Sequence, residues 1–185
     1  MQKLNLGCGT RVYKDYVNLD YHKHSGVDVV HDLNEFPWPF KENTFDEVLA
    51  VDIVEHLPDV TRSMKELYRI CKNGAIIRIQ VPHFSSATAH HEEHYHFFRW
   101  KSFGDGVKDL DKVLVFGKMF KLRKKKIHFF NAPYTPSLLH SVLFYNYFVE
   151  KLVNIWRLPL LYENTFLRSL FPAIAMYFEL EVVKQ

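Results

Sequence analysis

Three groups of residues in this chain stand where they can do chemistry. A Gly-x-Gly turn, Gly7-Cys8-Gly9, closes a short apolar run, Leu4-Asn5-Leu6. Carboxylates end the next apolar runs: Asp20 after Val17-Asn18-Leu19, Asp32 with Leu33 after residues 27–30, and Asp52 after residues 45–51. Then His83, His90, His91, His94 and His96, five of the eleven histidines, crowd together, with Glu92 and Glu93 among them. Glycine lets backbone approach a ligand because no side chain intervenes. A carboxylate at a strand end can accept from paired hydroxyls, and imidazole can move protons near neutral pH.

Such groups need a scaffold to bring them together. Strand signals over residues 3–6, 16–19, 27–30, 45–51 and 75–81 alternate with turn and helix signals, which predicts an α/β, mostly parallel sheet. The clearest helix is expected over 58–71. Val60, Met64, Leu67 and Cys71 form one apolar stripe there, Pro58 suits a first turn, and Asn73-Gly74 suits a stop. In open α/β sheets, ligands bind at the carboxyl edge of the strands. The glycine turn and all three acids belong to that edge, and the histidines follow the last of these strands.

Gly9 and Asp20 are separated by only ten residues, and the third glycine of the dinucleotide fingerprint is absent. No clear helix N-terminus follows to receive a pyrophosphate, which argues against NAD or FAD. A phosphate-free nucleoside cofactor, S-adenosylmethionine, fits better.

The ordered motifs Leu4-Asn-Leu-Gly-Cys-Gly-Thr10, Val17-Asn-Leu-Asp20, His31-Asp-Leu33, Phe45-Asp-Glu-Val48, Glu55-His-Leu57 and Lys72-Asn-Gly74 resemble those of the class I S-adenosylmethionine-dependent methyltransferases, in particular the type 11 methyltransferase domain. The likeness covers about the first 82 residues, and a last strand near 177–183 also fits. It implies a doubly wound, Rossmann-like sheet with an antiparallel C-terminal strand. It further implies that Gly7 and Gly9 line the methionine moiety, Asp20 holds the ribose, Asp32 and Leu33 contact adenine, and Asp52 closes the site. Asn5 and Leu6, beside the glycine turn, join this cofactor set. The chain departs from the family in two ways. Asn5 stands where many members carry an acid, and the helix after the glycine turn is shortened.

Methyl transfer from a sulfonium is an in-line displacement, so the acceptor must chiefly be held and aligned. A base helps where the acceptor is a weakly acidic hydroxyl. His94 and His83 are the candidate catalytic residues. The segment His83-Phe-Ser-Ser86, with His94 and Phe97-Phe98, is similar to a loop in methyltransferases near polysaccharide pathways. The chain lacks an Asn/Asp-Pro-Pro-aromatic clamp after the fourth strand, and neither cysteine is in a Pro-Cys position. Both absences disfavour a nucleic-acid acceptor. A small-molecule or saccharide oxygen is the expected target.

Two other readings stay open: a non-catalytic cofactor-binding module that docks a partner, and a metal protein built on the histidines. His90 and His94 stand four apart, as ligands on one helical face would, but Tyr95 replaces the histidine a strict motif requires. No metal site is assigned.

The remaining sequence sets the context. A net charge of +3 demands no nucleic-acid partner, and Lys118 to Lys126 reads as a sheet edge blunted by lysines. Cys8 and Cys71 make no disulfide framework, and no leader is recognised before the first strand, so a cytoplasmic location is expected. One domain spans 1–185, with insertions at about 84–112 and 131–172. Residues 113–116 and 118–130 are expected to pair as a hairpin through Gly117, and 136–161 to be helical. That apolar segment is a core helix, a homodimer face or a membrane-surface patch.

Overall fold

The computed structural model describes residues 1–103, 118–129 and 143–184. Seven strands form one sheet: β1 Lys3–Leu6, β2 Val17–Asp20, β3 Val29–Val30, β4 Phe45–Val51, β5 Cys71–Pro82, β6 Phe120–His128 and β7 Ala175–Val182. Their order is β3-β2-β1-β4-β5-β7-β6. The pairs from β3 through β5 are parallel. β7 lies antiparallel between β5 and β6, as expected for the C-terminal strand. The chain reverses direction across β1, between β2 on one side and β4 on the other. The carboxyl ends of these strands therefore border a crevice there.

The central strands carry near-continuous apolar runs, as parallel strands covered on both faces require. Leu4, Leu6, Leu19, Val48, Ala50, Ile77 and Ile79 are all buried, and Met176 and Phe178 of β7 extend the same core. Among the described residues β6 is an outermost strand, and it carries the lysines that commonly blunt such an edge.

Helix α1 (Val60–Ile70) crosses from β4 to β5. It buries Met64 and Leu67 of the apolar stripe, and Ile70 beside them. Its cap differs from expectation. Asp59 is the N-cap and accepts from the Arg62 amide, so Pro58 lies outside the first turn. The helix stops at Ile70 because Asn43 N–H and Thr44 N–H donate to the carbonyls of Arg69 and Ile70. No glycine cap is needed, and Asn73-Gly74 falls inside the twelve-residue β5.

The three earlier crossovers contain no α-helix, so the helical layering expected on both faces is reduced to α1 in this half. Side chains do the work that a helix backbone would do. Between β1 and β2, the Asn5 amide donates to Arg11 O and Asn18 Oδ1, and the Asn18 amide donates to Tyr13 O and Tyr16 O. Tyr13 N–H donates back to Asn18 Oδ1. This buried pair thus satisfies backbone groups that an irregular loop would otherwise leave exposed to the core. Before β4, Trp38 is 1% exposed and donates its indole N–H to Leu33 O. Arg69 of α1 donates to the carbonyls of Trp38 and Phe40.

After β5, the histidine-rich segment has no long helix, only a 3-10 turn at Ala87–His90. Aromatic side chains fasten it: Phe98 and Phe103 are buried, and the Phe103 ring meets Phe178 edge-on at 4.7 Å. Among the described residues, three short helices lie between β6 and β7: α2 Leu143–Val153, α3 Leu158–Glu163 and α4 Leu167–Leu170. Asn154, just past α2, pairs its amide with the backbone of Ile127 in β6. No helix of the described residues is long and apolar enough to cross a membrane. The expected hairpin arm at 113–117, the helical stretch 136–142 and the insertion limits at 104–112 and 131–142 lie outside the described residues.

Candidate active site

β1 ends at Gly7, whose φ of +62° only glycine adopts cheaply. The chain then folds back over β2. Cys8 N–H donates to Leu19 O, and Gly9 N–H donates to Asp20 Oδ2 at 2.7 Å. The other Asp20 oxygen accepts from His22 N–H at 3.0 Å. Both oxygens are therefore oriented from behind by backbone donors. A Cβ on Gly7 would lie 2.5 Å from Ile53 Cγ1 and 2.9 Å from Ile53 Cβ, inside contact distance. Gly7→Ala should therefore lower the unfolding free energy by about 1–3 kcal/mol, combining the left-handed strain with the displaced Ile53. Urea denaturation checks this, and an unchanged midpoint would contradict the packing described.

A cleft of about 290 Å³ opens on this edge, lined by Gly7, Asp20, Asp32, Leu33, Ile53 and His56, among others. Asp32 Oδ1 accepts from Asn34 N–H, and Leu33 is mostly buried beside it. A second cleft, of about 440 Å³, lies next to it, lined by Asp52, Glu55, His56, Thr88, His91 and His94 against Pro82, Ile174 and Ala175. His56 lines both. Asp52 stands between them at a φ of +54°, with its N–H on Gln80 O and its carboxylate on Arg11 at 2.9 Å. A non-glycine residue held in the left-handed region at a strand end is a common mark of functional sites.

The expected residues divide clearly. Gly7, Asp20, Asp32 and Leu33 come together in the first cleft, and Asp52 and His94 line the second. Asn5 and Leu6 are 2% and 0% exposed and line neither. As neighbours on one strand they point to opposite faces of β1, both buried, and Asn5 spends its amide on the loop. Gly9 acts from behind, through its N–H on Asp20. His83 is 0% exposed and lines neither cleft. Ser85 N–H donates to its Nδ1, which leaves Nε2–H to donate to Glu163 at 3.2 Å. His83 therefore ties the end of β5 to α3. Nor does the fold assemble the metal set suggested by spacing: His90 packs on Phe97, at 5.1 Å between rings.

Glu55 and His56 belong to a 3-10 turn, Val54–His56, directly after Asp52. From sequence, this pair reads as support for the start of α1. The turn instead keeps both residues at the carboxyl edge, and the histidine segment is fastened over them. Tyr95 N–H donates to Glu55 O, His56 Nδ1 meets Glu93 O, and His96 Nε2 meets Pro58 O. The His56 and His94 rings stand edge to face at 4.5 Å. Their short distance from Asp52 was the available signal.

Glu55 is 1% exposed, and neither carboxylate oxygen has a hydrogen-bond partner on another residue. Burial, helped by the nearby Asp52 charge, pushes its pKa up to about 8. Burial and the facing His94 lower the pKa of His56. The Glu55 shift has a sign. Between the ordinary carboxyl value and about pH 8, the folded chain holds a proton that the unfolded chain has lost. Stability therefore falls as pH rises through that window, by on the order of 5 kcal/mol. Glu55→Gln should flatten this slope in urea denaturation under chelating conditions. Parallel slopes for the two proteins would refute it.

A family model described as a methyltransferase domain matches residues 14–79. Over 73 residues the chain is 33% identical to cycloartenol-C-24-methyltransferase 1 of Oryza sativa subsp. japonica, which is 40% of this chain and 17% of that protein. The chain thus spans about a sixth of the length of the curated relative it matches. Among solved structures, a SAM dependent methyltransferase from Archaeoglobus fulgidus superposes with a TM-score of 0.57 at 16% identity, covering 97% of this chain and 85% of the other. A SAM-dependent methyltransferase from Methanosarcina mazei gives 0.55 at 10% identity, covering 100% and 93%. At such identities the likeness is one of fold. Residues 14–79 thus match a methyltransferase domain, and the sheet order and glycine turn give the chain the fold of the S-adenosylmethionine-dependent methyltransferase structures.

Proposed function

We propose that the chain binds S-adenosylmethionine in the first cleft and moves its methyl group to an oxygen of a small-molecule or saccharide acceptor in the second. The observation that carries this reading is the adjacency of the two clefts, with His56 in the wall of both. A methyl donor laid along Asp32, Asp20 and Gly7 ends at Ile53 and Asp52, where the polar cleft begins.

Each group has a role consistent with its surroundings. The Asp20 oxygens keep lone pairs for the ribose hydroxyls after taking one backbone N–H each. Asp32 keeps Oδ2 for the adenine amino group, and Leu33 covers a ring face. At the sulfonium end, Asp52 supplies negative charge near the positive sulfur. His56 and His94 are assigned to the acceptor oxygen, because their imidazoles line the second cleft and imidazole suits a hydroxyl. The attacking oxygen bonds to the methyl carbon as the C–S bond breaks; the C–S electron pair stays on sulfur, and the hydroxyl proton passes to the imidazole of His94 and on to solvent.

The test is release of S-adenosylhomocysteine with mono- and oligosaccharides as acceptors and cycloartenol as the contrasting one. Methylated sugar with no methylated sterol supports the reading. Cofactor binding without product across the panel supports instead the non-catalytic binding module. Absence of cofactor binding removes both.

A further inference from the structure

We propose that Glu55, His56 and His94 form a binding site for a divalent transition-metal ion of the zinc type in the wall of the second cleft, with an open position that takes the acceptor oxygen. One ligand atom from each of the three lies within 4.8 Å of the others. Ligands on one zinc ion sit about 2.0–2.2 Å from the metal, hence roughly 3–3.5 Å from each other. Small side-chain rotations cover the difference.

The histidines are prepared as ligands. Nδ1 of His56 meets Glu93 O at 3.2 Å, and Nδ1 of His94 meets Ala89 O at 3.2 Å. A carbonyl can only accept, so each Nδ1 carries the proton and each Nε2 keeps its lone pair. Histidine ligands are commonly fixed through their second nitrogen in this way. Glu55 contributes a buried carboxylate with no partner on another residue. Such a group is costly to leave alone, and a bound cation removes the cost. Among the described residues no lysine or arginine lines this cleft, and Arg11, whose charge reaches Glu55, is paired with Asp52. Two histidines and one carboxylate are also the donor set of catalytic zinc sites, in which three protein ligands leave a position open.

A second group, Cys8, Asp20 and His24, also brings ligand atoms within 4.8 Å of one another. Its carboxylate already accepts two backbone N–H groups, from Gly9 and His22. It lacks the unpartnered buried acid that distinguishes the Glu55 site.

The role of the open position rests on the methyltransferase reading; the metal site itself does not. An acceptor hydroxyl on the ion loses its proton to solvent more easily. Its oxygen then bonds to the methyl carbon, and the C–S electron pair returns to sulfur. His56 and His94 act in this scheme as ligands.

The test uses tag-free, chelator-stripped protein titrated with Zn²⁺ by calorimetry and with Co²⁺ by visible absorption. One ion per chain is expected. Glu55→Gln and His94→Asn should each weaken it by at least the roughly 10–100-fold that even outer-shell losses cost. Cys8→Ser should leave it unchanged, with no sulfur-to-cobalt charge-transfer band. Near-UV circular dichroism shows that each variant is folded. No stoichiometric binding by the wild type, equal affinity in the folded Glu55 and His94 variants, or loss in Cys8→Ser would each overturn the site. S-adenosylhomocysteine titration of the same samples separates the two readings. Cofactor binding without metal removes this site alone, and metal binding without cofactor removes the methyltransferase reading and leaves the site standing.

Discussion

Asp20→Ala binds S-adenosylhomocysteine at least ~100-fold more weakly than the wild type, because a charged acceptor loses its ribose partners at about 1.5–3 kcal/mol per bond. The effect has a second source. Asp20 also holds Gly9 N–H, so its removal frees the turn that carries Gly7 into the cleft. Asp20→Asn separates the two contributions. Its amide keeps one acceptor oxygen but turns a donor toward the other partner, so its affinity should fall between those of wild type and alanine. Isothermal titration reads both. Affinity within about threefold of wild type for Asp20→Ala, under ~0.7 kcal/mol, would mean that the nucleoside does not lie on the end of β2.

His94→Asn loses about 10²–10⁴-fold in turnover while its S-adenosylhomocysteine affinity stays at the wild-type value. His94 lines only the second cleft, so its loss should reach the acceptor and spare the cofactor. His83→Asn is the matched control. It removes a buried partner of Glu163, so stability should drop while the chemistry of the surviving folded protein is kept. Turnover numbers and denaturation midpoints for both variants decide the matter. Full activity in His94→Asn would place the acceptor elsewhere.

Much of this arrangement was legible in the sequence because strand ends are marked locally. The glycine turn, Asp20, Asp32-Leu33 and Asp52 each follow an apolar run, and parallel pairing then sends all of them to one edge. What was not legible depends on which way a side chain points. Asn5 looked like a ligand because it neighbours the glycine turn, but strand alternation turns it inward. An amide rather than an acid at this position has a physical reason: a carboxylate cannot donate to Arg11 O and Asn18 Oδ1, and an amide can. His83 likewise sits at the right strand end and faces the wrong way. Glu55 and His56 read in sequence as support for the helix start because residues just before a helix usually cap it. Here Asp59 does that work, which leaves the pair free for the cleft.

The Asn5–Asn18 pair has a consequence for exchange of the bound nucleoside. The loop over residues 7–16 is tied down by the two asparagine side chains, by Cys8 N–H on Leu19 O, by Gly9 N–H on Asp20 and by Arg11 on Asp52, rather than by a helix's repeating ladder. Releasing it breaks few contacts and exposes little apolar surface, which places it at the low end of the local opening scale. A ligand resting on Gly7 would damp these openings, and each opening would let the ligand leave. Residence time in the cleft is then set by how often these discrete ties, the two asparagines among them, let go together.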